Sequence, residues 1–348
     1  MINGKPLDRF LYDFWMSAGF EKKLLAETGL SKNDFLDKFD VDFRYIAGPK
    51  YIGPELKSTG NISEDIWGVT RRAVEVNLSG GTESYKEVEN SPLKQMTTVE
   101  EIENYPHWPS ADWFDYSEIE SQCEEIIAMG KVVVFMGDRL NRIAQLKPAT
   151  YLRGMEEILI DMCMNPEIAE VIFGKIKEFY KNYSEKIYES ANGKLDVVLT
   201  GDDFGTQNAP LVSPEMWAKY LGSGFADYIT IAKKYGLTVM HHTCGAVKPI
   251  IPLMIERGLD ILQSIQPEAG GMEPSALQKE FGDELIFQGG ISIQKLLPFG
   301  TKEEIREGVN KLKKIFDKNK RYIFCSSHNV QADVPVENVL TLLNAYRE

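Results

Sequence analysis

The sequence has no apolar run approaching the roughly 20 residues that a membrane-spanning helix needs. Its first ten residues carry Lys5, Asp8 and Arg9 in place of the apolar core of an export signal. Cysteine is scarce, with four in 348 residues, so a disulfide scaffold is excluded and free thiols or metal ligands are expected. Basic residues are in deficit: 39 Lys plus Arg stand against 52 Asp plus Glu, a formal net charge of −13. Nucleic acid as the main partner is excluded by that balance. No Gly-rich dinucleotide fingerprint follows an early strand, and there is no internal repeat. What remains is a cytoplasmic protein without membrane or nucleic-acid partners, whose 43% hydrophobic content suffices for a real core.

Short apolar runs alternate with amphipathic helices. Eight strands are predicted at 9–15, 42–47, 131–137, 197–202, 237–242, 259–265, 285–290 and 321–326. Most are β-rich or continuously apolar and stop at Gly, Asp, Pro or Ser, as buried parallel strands do. Leu152, Met155, Leu159 and Met162 recur at helical spacing, as do Ile172, Ile176, Phe179, Tyr183 and Ile187. Ser213-Pro214 supplies a cap and a first-turn proline for a helix to about Tyr235, and a last helix is expected at 335–346. Eight strands alternating with helices predict an α/β fold, a single (β/α)8 TIM barrel domain spanning 1–348. Residues 49–95 break the alternation. Ile66–Val76 and Tyr85–Val88 flank Leu78-Ser79-Gly80-Gly81, which reads as a β-hairpin excursion after strand two, on the face where barrel enzymes place their sites.

Histidine is as scarce as cysteine, with four in the chain, so its placement is informative. Three of the four His sit beside two of the four Cys, in His241-His242-Thr243-Cys244 and in Cys325-Ser326-Ser327-His328. Both groups end predicted strands, the fifth and the eighth, and all such ends face one mouth of a barrel. Residues i and i+2 of a strand point to the same side, so His242 and Cys244 project together. A thiolate from Cys325 would complete three metal ligands, a nitrogen and sulfur set that suits zinc and leaves a position open. His328 is the alternative third ligand, or a substrate contact. Cys123 and Cys163 lie in helical patterns and are expected in the core.

The stretch Gly201-Asp202-Asp203-Phe204-Gly205-Thr206-Gln207 ends strand four. Its paired carboxylates, Asp202 and Asp203, are candidates for catalysis or for orienting a His, with His241 as a further catalytic candidate. Gln207 and Gln288, with His328, are candidates for holding substrate on the same rim, where Gln263 and Gln266 would add neutral hydrogen-bonding groups. Asp138-Arg139 closes strand three and is a candidate contact for an anionic group.

GDDFGTQ, SPEMW, HHTCG, GLDILQSIQP, FGDELIFQGGIS and SSHNVQADVPVENV, together with LYDFW and PKYIGPEL near the N-terminus, resemble the uroporphyrinogen decarboxylase superfamily over nearly the whole chain. The resemblance implies a (β/α)8 barrel. Decarboxylases of that group hold a polycarboxylate tetrapyrrole with an Arg-rich RQAGR-type segment. The corresponding RFLYDFWMSAGFEKK offers no such Arg pair. The other branch, corrinoid-dependent methyltransferases, carries a zinc site of the form His-x-Cys with a distant Cys. His242 and Cys244 match its first two positions, and the third falls between Cys325 and His328, with Cys325 preferred on thiolate affinity. The resemblance implies methyl transfer between a small methylated substrate, such as a methoxylated aromatic, and the cobalt of a corrinoid (cobalamin) on a partner protein. The alternative it implies is a decarboxylase-like lyase that acts on a carboxylated substrate without metal.

Overall fold

A computed structural model describes residues 9–137, 142–318 and 320–348. Asp138-Arg139 therefore lies outside the described residues. Eight parallel strands form a (β/α)8 barrel: β1 (Leu11–Tyr12), β2 (Phe43–Tyr45), β3 (Val132–Phe135), β4 (Val197–Gly201), β5 (Thr238–His242), β6 (Ile261–Ile265), β7 (Ile286–Ile291) and β8 (Tyr322–Ser326). Each falls within or against one of the eight predicted segments. The sheet runs β1-β8-β7-β6-β5-β4-β3-β2. Its two ends meet where the Asp42 N–H donates to the Tyr12 carbonyl at 3.0 Å and the Asp42 carboxylate accepts the Tyr12 N–H at 2.8 Å.

Alternation along each strand builds two cores. Phe43, Val134, Val197, Leu199, Met240, Ile261 and Ile323 point inward and fill the barrel. Their neighbours Val133, Val198, Val239, Leu262, Phe287 and Phe324 point outward and pack beneath the helices. Each strand is thus apolar on both faces, which explains the continuous runs in the sequence.

Two helices differ from their expected course. The helix starting at Pro214 is capped by Ser213 as predicted, but ends at Tyr220; a second runs Gly222–Lys234. The break is held from outside, because Gln145 Nε2 donates to the Leu221 carbonyl at 2.9 Å and Arg257 Nε to that of Gly222 at 3.1 Å. Likewise Leu146–Arg153 and Met155–Met164 are separated at Gly154. Cys123 is buried as expected, whereas Cys163 is exposed on the outer face of its helix.

After β2 the chain makes the expected excursion. Thr70–Leu78 and Gly81–Asn90 pair antiparallel, and Ser58–Thr59 with Ile62–Glu64 extend them to four strands. The turn must contain glycine for a steric reason: a Cβ on Gly80 would lie 2.3 Å from the Ala332 carbonyl. Glu83, 3% exposed, fastens this sheet to the barrel. It accepts the Ser17 hydroxyl, the Gly19 N–H at 3.3 Å and the Ala332 N–H at 2.9 Å. Its charge lies at the N-terminus of helix Ala18–Thr28, where the helix dipole favours an anion.

Candidate metal centre

The C-terminal ends of β5 and β8 bring three donors together. The ligand atoms of His242, Cys244 and His328 all lie within 4.8 Å of one another. His242 Nε2 is 3.4 Å from Cys244 Sγ. A tetrahedral zinc with ordinary Zn–N and Zn–S bonds separates such a pair by about 3.6 Å, so the spacing fits without rearrangement. The other ring nitrogen, Nδ1, faces Gln263 Oε1 in a hydrogen bond. An amide oxygen only accepts, so Nδ1 carries a proton, and Nε2 is the nitrogen that would give up its own to a metal at the cluster.

The loop carrying Cys244 is braced by backbone contacts with its neighbours. Thr243 accepts the Phe204 N–H on its hydroxyl at 3.0 Å, and Gln266 accepts the Gly245 N–H at 3.1 Å. Gly245 has φ of +85°, and a Cβ there would meet the Gly205 carbonyl carbon at 2.5 Å. The strand-four and strand-five loops can approach only because that side chain is absent. Asp203 bridges them: Oδ1 accepts the Cys244 N–H at 3.2 Å and lies 3.4 Å from His242 Nε2, while Oδ2 pairs with Lys147 Nζ at 2.6 Å.

Charge is distributed unevenly around this cluster. Burial works against a charged His242, but the negative groups Cys244 and Asp203 outweigh it and push its pKa up to about 9. Burial, with the nearby His242, lowers His328 to about 4, so its imidazole is neutral at physiological pH and able to act as a ligand. Burial also opposes the Asp203 charge, yet its contacts with His242 and Lys147 hold the carboxyl well below the usual range.

The cluster opens on a cavity of about 590 Å³ at the barrel mouth. Phe14, Trp15, Tyr45 and Tyr85 line it with aromatic rings, and Arg44, Arg142 and Lys147 add positive charge to the same lining. Trp15 covers His242 with ring centroids 6.0 Å apart, and the Arg142 guanidinium lies 5.9 Å from the Trp15 ring.

Several expected site residues lie elsewhere. Cys325 does not join the cluster: it is 1% exposed and faces into the barrel beside Asp13 and Gln288. Burial and the Asp13 carboxylate push its thiol well above the usual range, so the thiolate affinity that favoured it is not expressed. His328 takes the third place. Asp202 is buried on the outer side of β4 and accepts the N–H groups of Gln145, Leu146 and Lys147 at 2.6, 2.9 and 2.7 Å. It caps helix Leu146–Arg153 from another element and is not positioned for catalysis. His241 also points outward, with Nδ1 2.8 Å from Thr200 Oγ1 and its ring stacked on Phe204. Gln207 is exposed and donates to the Glu268 carbonyl at 2.7 Å, away from the cavity. Gln288 is fully buried below the cavity floor and donates to Asp13. Of the three catalytic candidates, the structure brings Asp203 alone to the cluster.

Asp13, Trp15 and Tyr45 were not anticipated. Asp13 and Trp15 continue the inward side of β1 beyond its last residue and Tyr45 faces inward at the end of β2, and a carboxylate within the otherwise apolar LYDFW was the available signal.

The family model for uroporphyrinogen decarboxylase (URO-D) matches residues 144–348. A uroporphyrinogen decarboxylase of Sulfurovum sp. is 32% identical over 185 residues, 53% of this chain and 49% of the relative. That of Sulfurimonas denitrificans is 31% identical over 181 residues, 51% of this chain and 47% of its own. The chain thus spans about half the length of these curated relatives. A methyltransferase from Methanosarcina mazei shares the fold with a TM-score of 0.64, covering 99% of this chain and 96% of its own at 15% identity.

Proposed function

The chain belongs to the uroporphyrinogen decarboxylase family, and from that premise we propose that it is a zinc-dependent methyltransferase. It would move a methyl group between a small methylated substrate and a corrinoid carried by a partner protein. The observation that carries this reading is the convergence of His242, Cys244 and His328 within 4.8 Å at the barrel mouth. Zinc-assisted methyl transfer needs such a nitrogen and sulfur donor set, whereas decarboxylation without metal does not require Cys244.

Bound zinc would act as a Lewis acid on the heteroatom that bears the methyl group, stabilising the charge left there. The protein's own residues supply the rest. Gln263 holds the His242 tautomer that points Nε2 at the cluster. Asp203 is fixed by the Cys244 N–H and by Lys147, so a proton on Lys147 Nζ stands at the rim where a leaving oxygen would be released. Trp15, Tyr45, Phe14 and Tyr85 give an aromatic wall that suits a methoxylated ring, and Arg142 with Lys147 suits an acidic group on it. The open mouth leaves an approach for the corrinoid.

Metal content and activity test this together. Protein purified without added metal should contain about one zinc per chain, lost in Cys244→Ala and His328→Ala but kept in Cys325→Ala. Methyl transfer to a corrinoid protein should disappear with the zinc. The names of the curated relatives favour a second reading, a metal-free decarboxylase acting on a carboxylated substrate. Under that reading Cys244→Ala retains activity and the wild type holds no zinc.

A further inference from the structure

Inward-facing polar side chains continue around the barrel from His242. Its Nδ1–H is taken by Gln263 Oε1. Gln263 is paired in the β6–β7 register with Gln288, whose Nε2 donates to Asp13 Oδ2 at 2.6 Å. All three of these partners are 0% exposed. Between the two amides, each leaves one atom without a partner among the described residues: Nε2 of Gln263, a donor, and Oε1 of Gln288, an acceptor. The unmet atoms are complementary and belong to residues opposite one another in the ladder. The structure shows no bond between them, and one water bridging two residues opposite in the ladder would satisfy both.

We propose that Asp13, Gln288 and Gln263 form a relay of hydrogen bonds, all polarised in one direction, that orients His242 as a ligand from a carboxylate four strands around the barrel. The directions agree at each link. Asp13 accepts from the Gln288 amide nitrogen, which leaves the Gln288 oxygen to accept, through such a water, from the Gln263 side. The Gln263 oxygen is then left to accept from His242 Nδ1. Reversing either amide would set donor against donor at His242 or acceptor against carboxylate at Asp13. Carboxylate support for a metal-bound imidazole usually comes from direct contact, and here it arrives through two amides. Asp13 has a second role on the same oxygen, because Tyr45 donates to Oδ2 at 2.5 Å and itself accepts from Trp15 Nε1 at 2.7 Å. That branch holds the aromatic wall and does not touch Nδ1. The three relay members are therefore positioning residues. The inference rests on His242 being a metal ligand.

Zinc affinity by chelator competition separates the two branches without any turnover assay. Gln263→Leu should weaken zinc by roughly 10–100-fold, as loss of a direct partner does. Gln288→Leu and the near-isosteric Asp13→Asn should each weaken it by roughly threefold or more, while Tyr45→Phe leaves it unchanged. The double variant Asp13→Asn/Gln288→Glu moves the carboxylate one link nearer and should restore wild-type affinity, which a purely structural role of Asp13 does not predict. Wild-type affinity in Gln288→Leu, or equal weakening in Tyr45→Phe, overturns the relay while leaving the metal site intact. A folded wild type that binds no zinc removes both.

Discussion

His241 and His242 are neighbours in sequence with opposite fates, because adjacent residues of a strand face opposite sides. Counting inward positions from the apolar layer sorts nearly every polar residue at the barrel's upper end. Asp203 follows Val197, Leu199 and Gly201 inward, whereas Asp202 follows Val198 and Thr200 outward. The same parity places His242, Gln263, Gln288, Cys325, Asp13 and Tyr45 inside. Parity alone pairs His242 with Cys244, as the structure does, and carried to the other strands it sets aside Asp202 and His241. It would not have decided between Cys325 and His328, since that depends on how the loop beyond β8 folds back. The outward His241 makes a distinct prediction. Burial lowers its pKa to about 3, so between pH 6.5 and 3 the unfolded chain binds a proton that the folded chain refuses. Stability from this residue is present above pH 6.5 and falls as pH drops, by up to about 1.4 kcal/mol per pH unit. His241→Phe should therefore lose less stability than the wild type between pH 7 and 5, read from urea midpoints, with zinc content unchanged. Asp13 and Asp202, whose pKa values burial raises to about 6, contribute with the opposite sign but equally in both proteins. Parallel pH dependences would show that His241 is not held neutral.

The excursion after β2 shows what an element's own pattern conveys and what it leaves out. Its turn and its place in the chain were legible, because Ser79-Gly80-Gly81 between alternating runs is a strong local signal. Where it docks was not. Glu83 reads as one more charge on a solvated strand, yet it is buried against Ser17, Gly19 and Ala332, which lie 66, 64 and 249 residues away. The same is true of the break at Leu221, which depends on Gln145 from 76 residues upstream. Such partners are invisible to any window of sequence. Glu83 fastens a sheet whose Tyr85 both lines the cavity and accepts a hydrogen bond from Gln331 at 2.6 Å. Glu83→Ala leaves the Gly19 and Ala332 N–H groups without their acceptor, at about 1–3 kcal/mol for each group that stays buried. Limited proteolysis should then cut within 70–90 faster than in the wild type, with zinc content unchanged. Unaltered cleavage would mean that the remaining contacts, Gly80 with Ala332 and Tyr85 with Gln331 among them, suffice to hold the hairpin.

Over the whole molecule, the family match and the site cover different stretches of chain. The family model begins at residue 144, after β1, β2 and β3 have already been made. The segments around those early strands close the ring and supply Asp13, Trp15 and Tyr45, so the cavity is lined both by residues outside the matched region, Trp15 and Tyr45 among them, and by Lys147, Asp203, His242 and His328 inside it. The barrel was legible because eight strands buried on both faces must read as apolar runs. The site was only half legible, because its members are brought together by closure. The donors make this explicit: His242 ends β5 and Cys244 follows it, His328 lies beyond β8, and between them run β6 and β7 with their helices. A metal bound to all three ties the fifth strand to the loop after the last, a link absent from the unfolded chain. Binding to the folded state alone stabilises it by RT ln(1 + [Zn]/Kd), about 2.7 kcal/mol at a hundredfold excess over Kd. At roughly 2 °C per kcal/mol for a chain of this size, zinc should raise the thermal midpoint of metal-stripped wild type by ~5 °C. Cys325→Ala should show the same rise, and Cys244→Ala and His328→Ala almost none. A rise that persists in His328→Ala would place the third ligand elsewhere, because His242 and Cys244 alone would hold zinc too weakly for a comparable shift.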